Sequence, residues 1–175
     1  MKTRPGWFNT YLLATLLLGL AAGCATSDAD GKKKKIQPVK LRLHLESKQD
    51  VPEHLITATL GRSNPFSLSV ERTPFLQEDK VEQATLLESM GLYSISVLFD
   101  QQGLRLLDQY STANKGRRIA IWAEFGEARW VGAATITRRL ESATLTFTPD
   151  TTREDAQKIV DGLNLVAGQV KKNRR

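Results

Sequence analysis

The stretch Tyr93–Phe125, YSISVLFDQQGLRLLDQYSTANKGRRIAIWAEF, decides how the whole chain folds. Tyr93, Ile95, Val97 and Phe99 alternate with Ser94, Ser96 and Leu98, the period of a half-buried strand. Asp100 then stands where a helix needs an acceptor for its free first-turn N–H groups. Leu104, Leu107 and Tyr110 follow at helical spacing, and Lys115-Gly116 closes the helix with a left-handed cap. A second strand places Ile119, Ile121, Ala123 and Phe125 on one face, with Trp122 on the other. The unit is strand, helix, strand. It builds a core and carries no catalytic constellation.

Outward from this unit the same two periods recur. Val39–Leu45 alternates Val39, Leu41, Leu43 and Leu45 inward with Lys40, Arg42 and His44 outward. Leu55–Leu60 and Phe66–Glu71 read as strands around the Gly61–Pro65 turn. Pro74 breaks the pattern, Glu78–Ala84 reads as a short helical turn with Val81 and Ala84 inward, and Thr85–Ser89 as extended chain. Beyond Phe125, Gly126-Glu127 is a hairpin turn, Ala128–Ile136 a strand, and Ser142–Phe147 another. Thr151 and Glu154 form a capping box for a last helix whose stripe is Ala156, Ile159, Val160, Leu163 and Val166 or Ala167. The expectation is an α+β fold, a mostly antiparallel sheet with two helices packed on one face.

The length of 175 residues suits one small domain behind a targeting segment. Lys2 and Arg4 precede an apolar run, Tyr11–Ala22, too short to span a membrane, which needs roughly 20 residues. Ala21-Ala22-Gly23 leads into Cys24, the single cysteine of the chain. This resembles the lipobox of bacterial lipoproteins, in which cleavage falls before the cysteine and acyl chains are added to it. The resemblance implies a signal peptide over 1–23, a lipid anchor at Cys24 and a polar tether over 24–38. Two or more acyl chains, at about 0.8 kcal/mol per buried CH₂, hold a protein to a bilayer without spanning it. In a two-membrane envelope, Ala25 in place of aspartate implies, by resemblance to lipoprotein sorting signals, the outer membrane facing the periplasm. Lys32–Lys35 is either a contact for anionic head groups or a solvated linker. The formal charge of +6 falls when Lys2 and Arg4 leave with the signal, and the chain stays basic. A lone thiol excludes an internal disulfide or a cysteine metal site.

Five segments, in order, resemble the head part of the first periplasmic domain of SecD, an accessory subunit of the Sec protein translocase. They are Leu41-Arg42-Leu43; Phe66–Val81 with Pro74-Phe75-Leu76 and Asp79-x-Val81-x-x-Ala84; Ile95–Gly103; Gly116–Ile121; and Thr152-x-Glu154-x-Ala156. The resemblance runs from about residue 39 to 165, within a domain expected over 39–170. Glu124-Phe125-Gly126-Glu127 is one residue longer than that family's Asp-Gly hairpin, and its Gly-rich loop has shrunk here to Thr137–Glu141. SecD also carries membrane-spanning helices that couple proton flow to chain movement, which this sequence lacks. The resemblance therefore implies the fold and a protein-binding role, with no energy coupling and no catalytic residues.

The residues themselves offer little chemistry. His44 and His54 are the only histidines, and both read as surface residues. A metal site needs three or four ligands, so neither a metal nor another cofactor is expected. No G-x-S-x-G elbow occurs. Glu78/Asp79 and Glu154/Asp155 sit at helix starts, where the dipole favours them. Trp122 and Trp130, on paired strands with Arg118, Arg129, Arg138 and Arg139 nearby, are the candidate binding surface. Aromatic and basic surfaces bind polypeptide or single-stranded nucleic acid, and export argues against nucleic acid. The competing reading buries both tryptophans under the Val39–Glu71 segment. The expected function is a lipid-anchored module that contacts exported or envelope polypeptides; the alternative is a structural or inhibitor-like lipoprotein with one dedicated partner. Nothing in the sequence fixes the oligomeric state.

Overall fold

The computed structural model describes residues 35–48 and 52–173. The expected signal peptide, Cys24 and the tether up to residue 34 lie outside the described residues. In chain order the elements are β1 (Lys40–Leu45), β2 (Leu55–Leu60), β3 (Phe66–Glu71), β4 (Leu76–Gln77), β5 (Val81–Ser89) and β6 (Leu92–Phe99). Then come α1 (Gln101–Ala113), β7 (Arg118–Glu124), β8 (Ala128–Thr135), β9 (Thr144–Phe147) and α2 (Arg153–Asn173). Single 3₁₀ turns occupy Pro52–His54 and Glu78–Lys80. The fold is α+β, and every strand pairing is antiparallel.

The strands form three sheets rather than one: β4-β1-β7-β8, β2-β3 and β5-β6-β9. The split follows from the central unit. β6 pairs with β5 and β9, and α1 carries the chain across to β7 in the other sheet. The two larger sheets turn one face each to a shared core. It holds Leu41, Leu43, Ile119 and Ile121 from one sheet and Ile95 and Val97 from the other. Leu107 of α1 and Ile159 and Leu163 of α2 pack into the same cluster. Each fully buried Leu or Ile contributes roughly 1.5–3 kcal/mol relative to exposure.

Asp100 caps α1 as its chemistry demands, accepting from the backbone N–H of Gln102 at 3.0 Å and Gly103 at 2.9 Å. Such a cap contributes about 1 kcal/mol. The buried face of α1 is centred on Gly103, Leu107 and Ser111, a step round from the Leu104–Leu107–Tyr110 stripe expected. The reason is local. The cap lays the first turn against Phe99, where a Cβ on residue 103 would stand 2.5 Å from the Phe99 Cβ. Tyr110 still packs, stacked on Phe75 with ring centres 4.4 Å apart.

Val81–Ala84, expected as helical, is strand. Val81 opposes Phe99 and Ala84 opposes Val97, with a bulge between Val81 and Gln83. The extra residue brings two side chains three apart onto one face, which imitates the helical period. At α2 the cap sits one residue later than expected. Thr152 Oγ1 accepts from Asp155 N at 3.2 Å, and Thr152 O accepts from Ala156 N at 2.9 Å. Farther along α2, Asn164 behaves as a neighbouring strand would. Its Nδ2 donates to Ala84 O at 2.9 Å, and its Oδ1 accepts from Ala84 N at 2.8 Å.

The β2-β3 hairpin covers part of the outer face of the four-stranded sheet. Ala58, Leu60, Leu68 and Val70 bury against Ala120, with Trp130 and Ala133 at the margin. At one end Ser47 N donates to Ser69 O at 2.8 Å; at the other Arg62 N donates to Asp150 Oδ2 at 2.8 Å. Asp150 N in turn donates to Val131 O on β8, so the hairpin runs from the end of β1 to the far edge of the sheet.

Candidate binding surface

The outer face of the four-stranded sheet is built by register. Lys40 stands opposite Glu124, Arg42 opposite Trp122, and His44 opposite Ala120 across β1 and β7. Across β7 and β8, Trp122 stands opposite Trp130 and Ala120 opposite Ala133. The two tryptophans are therefore cross-strand neighbours on one face, as their positions predict. The pairing passes from Ile121–Gly132 to Trp122–Trp130 through a bulge, with Val131 as the extra residue turned into the core.

The face has a covered part and an open part. In the covered part His44 is 4% exposed, a correction to its reading as a surface residue. Its Nδ1 lies 2.8 Å from Glu71 O, and its ring meets Trp130 edge-on at 5.1 Å. Burial holds His44 below the usual imidazole range, Arg42 adds to that, and the Glu71 carbonyl opposes it. In the open part Arg42 is exposed, with its guanidinium 5.0 Å from the ring centre of half-buried Trp122. A cation so placed over indole is attracted to the ring face. Lys40 Nζ and Glu124 Oε2 pair at 3.0 Å beside them.

The arginines named from sequence scatter. Arg118 shares the face but at its other end. There its Nε and Nη2 hold the Glu46 carboxylate at 3.1 and 2.5 Å, and its guanidinium lies 5.9 Å from the Phe66 ring. That hydrogen bonding keeps the Glu46 carboxyl below its ordinary range. Arg129 opposes Ala123, so it lies on the core side of the sheet, 5.7 Å from the Phe125 ring and paired with Glu127 at 2.7 Å. Arg139 pairs with Asp108 of α1, its Nη2 2.8 Å from Oδ2, and Arg138 beside it is exposed. The structure thus brings Trp122 and Trp130 together with Arg42, and Arg129, Arg138 and Arg139 elsewhere.

Two solved structures of SecDF share this fold. One is of the membrane component SecDF that enhances protein export. It aligns with a TM-score of 0.55 and 16% identity, over 82% of this chain and 70% of that one. The other is SecDF in a super-membrane-facing form, with a TM-score of 0.53 and 18% identity, over 74% of this chain and 19% of that one. No family model matches the chain, and no curated protein does. At these identities the likeness to SecDF is one of fold, and the SecD-like architecture expected from the ordered motifs is the one found.

Three residues matter more than the sequence suggested. Arg42 belongs to the open part; its outward position on β1 was legible, and its neighbour across the strands was not. Arg117 ties three segments together, with Nε donating to Glu46 O at 2.6 Å, Nη2 3.3 Å from the Glu71 carboxylate, and Nη1 bonded to Asn114. His44 anchors the hairpin. Among the described residues no group of three or more His, Cys, Asp or Glu could hold a metal ion, and no helix is long and apolar enough to cross a membrane.

Proposed function

We propose that this protein is a lipid-anchored periplasmic module that binds exported or envelope polypeptides through the open part of its four-stranded sheet. The observation that carries this reading is the pairing of Trp122 with Trp130 across strands, with exposed Arg42 over Trp122. An aromatic anchor beside an arginine is the side-chain chemistry that dominates protein interfaces. Two further supports are the SecDF fold, whose solved example enhances protein export, and the sequence ending at Cys24, which resembles a lipobox. The role proposed is contact, with the anchor at Cys24 keeping the domain at the outer membrane.

A second reading, one dedicated protein partner, draws on the ion pairs. Arg118–Glu46 and Lys40–Glu124 fix charge in place on this face, and fixed charge suits a single complementary surface. Site-specific photocrosslinking in cells separates the readings. A probe replacing Trp122 is expected to give a spread of adducts with many exported proteins. One sharp adduct instead favours the dedicated partner, and its mass identifies it. A silent probe at 122 overturns the surface. A probe at 130, under the hairpin margin, is expected to react less than one at 122.

A further inference from the structure

The β5-β6 hairpin ends in a tip that the proposed binding surface does not use. Ser89 pairs with Leu92, leaving Met90-Gly91 as a two-residue loop. Both residues have positive φ, 51° at Met90 and 78° at Gly91. Two-residue loops of this hand strongly prefer Asn-Gly, because asparagine tolerates the left-handed region and other side chains resist it. Methionine stands there instead, and it is 100% exposed. Leu92 beside it is 72% exposed and Leu87 on the paired strand 47%. A strained, wholly solvated methionine flanked by two bare leucines does nothing for the core.

The surroundings of the tip carry little uncompensated charge. Glu88 and Arg153 pair at 2.6 Å at its base. The adjoining outward positions of the sheet are Thr85, Ser94, Ser96 and Thr146; Thr146 Oγ1 donates to Ser96 Oγ at 3.3 Å, and Ser94 Oγ lies 3.4 Å from Thr148 Oγ1. Hydroxyls and leucines enter a lipid interface without a charge to desolvate. The position of the tip agrees. Gln37 O and Val39 pack against Gly162, where an added Cβ would stand 2.6 Å from the carbonyl. The chain thus joins the domain about 14 Å along α2 from Arg153, at 1.5 Å per residue. From Cys24 to Gln37 an extended chain reaches about 43–47 Å. The tip is within range of any bilayer that holds Cys24. Three side chains at a hairpin tip fall short of the roughly 800 Å² per partner of a stable protein interface. Shallow insertion beside an anchor needs far less, because the tether makes the second contact intramolecular.

We propose that Leu87, Met90 and Leu92 form a lipid-contacting tip that rests in the membrane interface and orients the anchored domain. This rests on the lipid-anchor reading above. The test uses the full protein purified from membranes and placed in vesicles of phosphatidylethanolamine and phosphatidylglycerol. An environment-sensitive probe goes on Ser89→Cys, which keeps all three apolar side chains, with Ser63→Cys in the other hairpin as control. The probe at 89 is expected to shift to the blue and lose most of its emission to lipids carrying shallow nitroxides, while the probe at 63 reports water. Adding Met90→Asn and Leu92→Thr is expected to return the probe at 89 to water. Intact mass reports acylation separately. An acylated protein whose probe at 89 stays in water overturns the tip and leaves the anchor standing. An unacylated protein overturns the anchor and the tip with it. A dry probe in cells alone, with a protein crosslinked to it, overturns lipid in favour of a protein partner.

Discussion

The outer face of the β4-β1-β7-β8 sheet and the outer face of the β5-β6-β9 sheet are both what remains after an antiparallel sheet turns one side to a core. The first carries Lys40, Arg42, His44 and Glu46 against Glu124, Trp122, Ala120 and Arg118. Long charged side chains sit at its ends in pairs, and small ones in the middle, where the β2-β3 hairpin docks. The second carries Gln83, Thr85 and Leu87 against Leu98, Ser96 and Ser94, with no charge at those positions, all of them exposed or half-buried. Identical alternation on the buried side thus says nothing about the fate of the other side. Alanines invite a cover, an aromatic with a cation invites a partner, and hydroxyls with leucines stay bare.

The sharpest way to break this contrast is to truncate one leucine on each face. Leu68→Ala, under the hairpin, is expected to lower stability by about 2–4 kcal/mol in urea unfolding. Leu92→Ala, on the bare face, is expected to change it by less than about 0.5 kcal/mol. Equal losses would mean the second face is covered after all.

Acid sharpens the contrast more gently. His44 has a folded-state pKa below its ordinary 6.5, mainly through burial. As pH falls below that value the unfolded chain takes up a proton that the folded one refuses, so stability falls, by at most about 1.4 kcal/mol per pH unit for one group. Glu46, depressed by Arg118, acts in the same sense lower down: its contribution is lost as pH falls through its folded-state pKa. His44→Gln is expected to flatten the pH dependence of the urea midpoint that begins below pH 6.5 and to keep the fall that begins below pH 4.5, where Glu46 takes up its proton in the unfolded chain. An unchanged slope in the variant would mean the hairpin does not seal His44.

The smallest effect is a gain. Met90→Asn restores the residue that the turn prefers and is expected to raise stability by about 0.5–1 kcal/mol, seen as a higher Tm. A loss would show that Met90 packs against something in the folded domain.

The contrast also marks what the sequence could tell. Tyr93–Phe125 was readable because its periods are long and its cap, Asp100, sits at the junction. The opposition of Trp122 to Ile121 followed from strand parity alone, and parity also separates Arg129 from Trp130. Val81–Ala84 misled because a bulge copies helical spacing, and Thr151 because a second threonine stands beside it. The docking of the β2-β3 hairpin was legible only as the competing reading that buries both tryptophans under Val39–Glu71, and the hairpin meets it halfway: it packs on Trp130 and leaves Trp122 half-buried beside exposed Arg42. Strand periodicity identifies two sides and is silent about which one a later segment will cover. The signal that existed lay in Ala120 and Ala133, two small residues whose adjacency appears only once β7 and β8 are paired.

Asn164 has a consequence for life in a crowded compartment. A sheet margin is an invitation, since any extended chain that drifts past can add itself to the row. Along β5 that invitation is withdrawn at Ala84 by a single amide that offers one donor and one acceptor in the order a visiting strand would. A helix thereby lends the sheet one residue of a strand that does not exist. A protein proposed to handle unfolded chains on one surface closes this rung of another to them.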